Sequence, residues 1–149
     1  MQIKRFSAIL STSMKKRRLD VEFAYDFELI GLTSSARGYK LAWEINHMLG
    51  INLVRKDDLK MTTREGDFFF IFFEHESSVN KVKLFRNKAN EGDAFLVPDH
   101  SHLDYILYTK GDEDMNSKRL QEVLRNIPSI ELVAFLPLAA LKSKDNFIF

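Results

Sequence analysis

The sequence contains no cysteine. Disulfide bonds, thiolate nucleophiles and cysteine-ligated zinc or iron–sulfur centres are therefore excluded. Long apolar runs are also lacking: the longest, residues 132–141, is interrupted by Pro137 and has about half the length of a membrane-spanning helix. The N-terminal apolar patch is short and is followed by serine, threonine and basic residues, which is not typical of an export signal. We therefore predict a cytoplasmic protein without a membrane segment.

Sequence motifs of common enzymes are absent as well. None of the six glycines forms a GxGxxG or GxxxxGK[ST] phosphate loop, and neither a GxSxG elbow nor an HExxH pair occurs. These absences favour a non-enzymatic binding or interaction module without a cofactor. Neither its ligand nor its partner can be identified from the sequence.

The composition is that of an ordinary folded domain. Of the 149 residues, 45% are hydrophobic and 29% are charged. A chain of this length buries roughly 68–70% of its unfolded surface, so it needs neither a disulfide nor a metal to fold. We predict one domain over residues 19–149, preceded by a basic arm over residues 1–18.

The basic arm holds six basic residues and no acid, whereas the net charge of the whole chain is only +1. Its densest part is a run of four cations, Lys15, Lys16, Arg17 and Arg18. Such a cluster can bind RNA or another polyanion. The alternative is a solvated leader that keeps a phenylalanine-rich protein soluble.

The hydrophobic periodicity predicts the element order β-α-β-β-β-β-α-β. Strands are predicted at residues 19–25, 52–56, 67–73, 81–86, 104–109 and 130–136, and residues 27–32 either continue the first strand or begin a second short one. Helices are predicted from the Thr33–Ser34 cap to Gly50 and from about residue 117 to Pro128. Tight polar turns between the middle strands indicate hairpins. We therefore expect an α+β fold of two layers, with a mainly antiparallel sheet of five or six strands and two helices, and a ferredoxin-like arrangement is one candidate for it.

Residues 67–73 contain six consecutive apolar side chains, from Phe68 to Phe73. A strand that is apolar on both faces is typical of the middle of a sheet, so we place it there, with Phe70 and Phe72 against the helices. The strand at 81–86 is expected to be more exposed and the one at 130–136 to be buried. Two helices would cover only one face of the sheet. The second face would then be covered by the N-terminal segment, by the C-terminal tail or by a second copy in a homodimer.

Two segments could bind a metal. His100 and His102 lie two residues apart on an extended segment, and His75 could supply a third ligand for a small metal-dependent enzyme. Exposed histidines in a polar loop are the alternative, and we expect no metal to be required. The acids at residues 112–114 begin like a calcium loop, but Ser117 replaces its glycine and Val123 its glutamate, so we expect them to cap the second helix.

Three side chains of the first helix form a candidate partner surface. Tyr39, Trp43 and His47 follow one another at a spacing of four residues, to one side of the predicted apolar arc. Exposed aromatic residues cluster at contact hot spots, and the Trp43 and His47 rings could stack. The alternative is that another element of the chain covers them.

Six residues carry a resemblance to a known family: Val97, Pro98 and Asp99, followed by Leu103, Asp104 and Tyr105. This pattern resembles the signature of the IPExxVDY family of small uncharacterised bacterial proteins of the Bacteroidetes type, although three residues rather than two separate Asp99 from Leu103. Further similarity extends over most of residues 19–149. The resemblance implies no catalytic residue, cofactor or partner, and it suggests Met14 as a natural start, with residues 1–13 an extension.

Overall fold

The structure is a computed structural model that describes residues 25–111 and 116–149. These residues form eight strands and two helices in the order β1 (Glu28–Thr33), α1 (Gly38–Leu49), β2 (Val54–Arg55), β3 (Leu59–Thr63), β4 (Gly66–Phe70), β5 (Phe72–Glu76), β6 (Lys81–Arg86), β7 (Tyr105–Lys110), α2 (Ser117–Leu124) and β8 (Leu132–Leu136). Short 3₁₀ turns at Pro98–His100, Leu138–Ala140 and Lys144–Phe147 complete the described part of the chain.

Six strands form an antiparallel sheet in the order β2-β5-β6-β7-β1-β8, and β3 and β4 form a separate hairpin. Within the large sheet, β1 lies between β7 and β8 and is antiparallel to both. Strands β1, β6, β7 and β8 with the two helices follow the β-α-β-β-α-β order of a split βαβ, ferredoxin-like arrangement. The α+β prediction is therefore confirmed. Strands β2 to β5 are inserted between α1 and β6.

Both helices pack on one face of this sheet. Helix α1 buries Leu41, Ala42 and Ile45 against that face and ends at Gly50, which adopts the left-handed conformation (φ 67°) expected of a C-terminal glycine. The predicted N-terminal cap is wrong, because the helix begins after Arg37. The Ser34 hydroxyl instead donates to the backbone oxygen of Ser129, 2.6 Å away, and so ties β1 to the segment before β8.

The opposite face of the sheet has a second core of its own. The hairpin β3–β4, the segment between β6 and β7, and the C-terminal turns supply its cover, which includes Phe70, Leu96, Val97, Leu103 and Phe147. All five are at most 2% exposed. Of the three covers predicted for this face, the C-terminal tail is therefore present, through Phe147. The hairpin β3–β4 and the segment between β6 and β7 were not predicted as cover, and with this face covered by the same chain the homodimer loses that reason.

The predicted strand 67–73 is wrong in extent and in position. It is divided at Ile71, so that β4 pairs with β3 while β5 lies next to the short edge strand β2. Phe70 and Phe72 contact the second core rather than the helices, whereas Phe73 faces the helix side. The run is apolar throughout because its side chains serve two cores, and only Phe69 is largely exposed.

Two further predictions about burial are corrected. Strand β6 lies inside the sheet, between β5 and β7, and Val82 and Leu84 are buried under the helices although the strand contains two lysines. Strand β8 is the outermost strand of the described sheet, with Leu132 47% and Phe135 43% exposed. A continuous apolar run thus marks an edge strand here rather than a central one.

Three features of the sequence lie outside the described residues. The predicted strand 19–25 is described only at Tyr25, whose hydroxyl donates to Asp145. The basic arm, including Lys15, Lys16, Arg17 and Arg18, lies wholly outside, as do residues 112–115 of the acidic turn. At the start of α2 the side chain of Asn116 accepts a hydrogen bond from the Arg119 N–H and caps the helix.

Candidate functional site

The outward face of α1 carries a row of exposed rings. Tyr39 is 69% exposed and Trp43 is 59% exposed, and His47 follows one turn later. At 100° per residue these three side chains fall within roughly 80° of arc, on the side opposite Leu41 and Ile45. We call Tyr39, Trp43 and His47 the aromatic stripe. No described residue covers it, so the alternative of internal cover is excluded for that part of the chain.

The aromatic stripe is ordered by local contacts. The Trp43 and His47 ring centroids lie 3.9 Å apart with planes inclined by 35°, so the two rings are in contact as predicted but are tilted rather than stacked. His47 Nδ1 also lies 3.3 Å from the backbone oxygen of Trp43. Beneath the stripe, a Cβ built on Gly38 would meet the Phe73 ring at 3.1 Å, so the start of the helix lies close against β5. The stripe therefore projects from a firmly seated helix.

The three candidate metal ligands are not brought together. His75 lies on β5 opposite Val82, which in turn pairs with Thr109 of β7, whereas His100 and His102 precede the other end of β7. Four residues of β7 separate the two positions, or about 13 Å along the strands. Within residues 25–111 and 116–149 no group of three histidine or carboxylate side chains could hold a metal ion. His75, His100 and His102 therefore do not form the predicted set of three metal ligands.

The loop between β6 and β7 is organised by Asn87, a residue that sequence reasoning did not single out. Its side chain is fully buried, donates to the backbone oxygens of His100 and Leu103, and accepts from the Val97 N–H, at 2.9–3.1 Å. One amide thus makes hydrogen bonds to three backbone groups of the loop, and buried backbone groups need such partners because water does not reach them. Nothing in the local pattern distinguishes this asparagine from the polar loop residues that follow it.

Several of the residues that carry the family resemblance connect separate segments of the chain. The Asp104 carboxylate accepts from the Ser34 N–H at 2.9 Å, and the Tyr105 hydroxyl donates to the backbone oxygen of Ala36 at 2.6 Å, so both hold the entry to α1. Asp99 accepts from the Lys142 N–H and the Ser143 hydroxyl and so holds the C-terminal segment. Leu103 packs directly against Gly31 of β1. These contacts give Asp99, Leu103, Asp104 and Tyr105 a structural role.

A buried lysine on the second face was also missed by the sequence analysis. The Lys83 ammonium lies 3.5 Å from Glu74 and 3.8 Å from the centroid of the Phe149 ring, with only 9% of its side chain exposed. Burial lowers the pKa of Lys83, and the Glu74 carboxylate opposes that change. Alternation of strand residues could have placed Lys83 on the face opposite Val82, but not under the C-terminal tail. We interpret this pair as an anchor for Phe149.

A groove at the β2 edge has a volume of about 420 Å³ and is lined by Asn52, Val54, Lys56, Glu74, His75 and Glu76. It is open to solvent and mostly polar, whereas small-molecule sites are largely apolar and enclose their ligands. His75 Nδ1 already accepts a hydrogen bond from the Asn52 N–H at 3.1 Å. The groove therefore does not support a catalytic site.

Among the described residues, no helix has the length and apolar character needed to cross a membrane.

Comparisons with known proteins identify no relative of this chain. Searches against protein-family models, curated proteins and solved structures each find no match. The resemblance to the IPExxVDY family accordingly stays a prediction that rests on Val97, Pro98, Asp99, Leu103, Asp104 and Tyr105.

Proposed function

We propose that this chain is a non-enzymatic interaction module that binds a protein partner through the aromatic stripe of α1. The observation that carries the proposal is the exposure of Tyr39 and Trp43, 69% and 59%, on the helix face directed away from the core. Tryptophan and tyrosine are the residue types most enriched at binding hot spots. Rings that remain in water contribute little to the free energy of folding, so the packing of the domain does not explain the position of these two side chains. A bound partner that covers them does explain it.

The stripe is well suited to binding because it is preorganised. Trp43 is already in contact with His47, and α1 is fixed by its buried face and by Gly50 at its end. Side chains that are ordered before association lose less conformational entropy on binding, and aromatic rings have few rotatable bonds to immobilise. Association would therefore retain most of the free energy gained by burying the rings.

The spacing of the stripe indicates the shape of the partner. Residues at i, i+4 and i+8 of a helix insert into an apolar groove on another protein, as in helix-in-groove recognition. The Tyr39 hydroxyl and the Trp43 indole N–H would supply polar contacts at the rim of that groove. Lys40 and Glu44 flank the stripe with opposite charges, which does not favour a partner of one strong charge. The absence of cysteine is compatible with a cytoplasmic setting for this interaction.

The Tyr39→Ala/Trp43→Ala double variant tests the proposal. Each hot-spot truncation costs about 2 kcal/mol or more, so loss of even one weakens partner binding by roughly thirtyfold. Immobilised wild-type protein would first be used to isolate partners from native cells. The dissociation constant of each purified partner would then be measured by calorimetry with both proteins. Because both side chains are largely exposed, the variant should keep the circular dichroism spectrum of the wild type.

The matched control is Phe69→Ala/Val79→Ala, which removes two exposed apolar side chains that do not belong to α1. It should bind the same partner within about twofold of the wild type, since it leaves the proposed hot spot intact. Equal affinities of the stripe variant and this control for every partner of the wild type would contradict the proposal.

A further inference from the structure

Strand β8 leaves one edge of the sheet open within the described residues. It pairs with β1 on one side and with no described strand on the other. Its five residues are all apolar, and Leu132 and Phe135 are 47% and 43% exposed. Edge strands normally carry charges, prolines or bulges that prevent pairing with another chain. Between Leu132 and Leu136 none of these devices is present, so this edge is chemically suited to accept a further strand.

We propose that β8 pairs antiparallel with β8 of a second copy of this chain, about a two-fold axis at Ala134. In this register Ala134 faces its own counterpart, Val133 faces Phe135, and Leu132 faces Leu136. The sheet would then run without interruption through both copies. The interface is isologous, which is the commonest arrangement of soluble oligomers.

The sequence of the strand favours a second copy over an unrelated chain. Leu-Val-Ala-Phe-Leu has almost the same character when it is read backwards, so antiparallel self-pairing sets an apolar residue against an apolar residue at every position. Aromatic and β-branched side chains such as Phe135 and Val133 form stabilising cross-strand pairs. The first charge before the strand, Glu131, would face Pro137 rather than another carboxylate. Pro137, which lacks an N–H, would end the ladder at each side.

This inference is independent of the proposed function. Helix α2 contacts β1 and β8, whereas the start of α1 lies over Phe73 of β5 and Tyr105 of β7. Pairing through β8 therefore leaves the aromatic stripe of each copy free. A dimer would present two stripes, so an immobilised or repeated partner would be bound with avidity. Dimerisation through β8 can therefore be disproved without affecting partner binding through the aromatic stripe, and the reverse is also true.

The Ala134→Cys variant tests the interface directly, because the chain otherwise has no cysteine. Facing residues of antiparallel strands have Cα atoms about 4.5 or 5.5 Å apart, and both distances are within the range of a disulfide. Under mild oxidation at micromolar concentration, Ala134→Cys should form a covalent dimer almost completely. The control Val79→Cys, at an exposed turn residue, should remain largely monomeric on a non-reducing gel.

The mass of the unmodified protein by light scattering completes the test. We expect twice the mass of one chain for the wild type and a single chain for Leu132→Lys and for Phe135→Lys, which place a charge on opposite faces of the edge. A monomeric wild type overturns the proposal, and it indicates that another part of this chain or no strand at all occupies the edge. A dimer in which Ala134→Cys cross-links no better than Val79→Cys also overturns it, because the contact is then elsewhere.

Discussion

Replacing Asn87 by alanine is expected to lower the free energy of unfolding by about 3–5 kcal/mol. The change removes the Asn87 amide and, with it, the three described hydrogen bonds of that side chain. The backbone oxygens of His100 and Leu103 lose a donor, and the Val97 N–H loses an acceptor. These groups lie in or beside the second core, where water replaces lost hydrogen bonds poorly. Urea unfolding followed by circular dichroism measures the effect, since Trp43 is exposed and reports on unfolding weakly.

Asn90→Ala is the matched control for this prediction. Asn90 lies three residues further along, is exposed, and donates from its side chain to Asp58 at 2.7 Å. Its removal should cost less than about 1 kcal/mol, as expected of an exposed polar pair. A loss for Asn87→Ala no larger than that for Asn90→Ala would show that the loop before β7 is held by other contacts.

The Phe70→Ala variant should lose on the order of 3–5 kcal/mol, because Phe70 is fully buried in the second core and the vacated volume cannot be refilled by its rigid neighbours. Such a loss removes much of the stability of a small domain. The midpoint of thermal unfolding and the urea midpoint should both fall. The result would establish that the sheet face without helices is a true core rather than a loosely covered surface.

Phe69→Ala serves as the comparison, since Phe69 is the preceding residue of the same strand and is 44% exposed. Its truncation should cost less than about 1 kcal/mol, because nearly half of its surface is already in water and little apolar contact is lost. If the two variants were equally stable, the hairpin β3–β4 would not cover the sheet in the way described.

Much of the fold was predictable because the local pattern and the tertiary environment agree. The periodicity places Leu41, Ala42 and Ile45 on one side of α1, and that side packs on the sheet. Gly50 ends the helix because glycine adopts the left-handed conformation without strain. Strand β7 and helix α2 follow their patterns for the same reason. The α+β class and the two helices therefore follow from residue spacing alone.

The burial of individual strands was not predictable, because it depends on irregular segments. The phenylalanine run is divided at Ile71 and supplies two cores, although its pattern is that of one central strand. Strand β3 was missed because Lys60 and two threonines give it the polarity of a loop. Lys83 is buried because Glu74 and the ring of Phe149 lie against it, and both are brought there by tertiary contacts rather than by nearby sequence.

The candidate sites divide in a similar way. Tyr39, Trp43 and His47 share one helix, so their spacing was sufficient to predict that they form a surface. His75 lies on a different segment from His100 and His102, and its position relative to them depends on strand order, so composition alone could not show that it lies apart from that pair. Asn87 had no local signal, because its function is to satisfy backbone groups 10 to 16 residues away in the chain.

The fluorescence of Trp43, the single tryptophan of the chain, tests the central claim most directly. In the free protein the side chain is 59% exposed, so its emission should be that of a hydrated indole and acrylamide should quench it strongly. Titration with a partner isolated by the wild-type protein should shift the emission to shorter wavelength and protect it from quenching, because the ring enters an apolar groove. Saturable binding of that partner with no change in either emission or quenching would contradict recognition through the aromatic stripe.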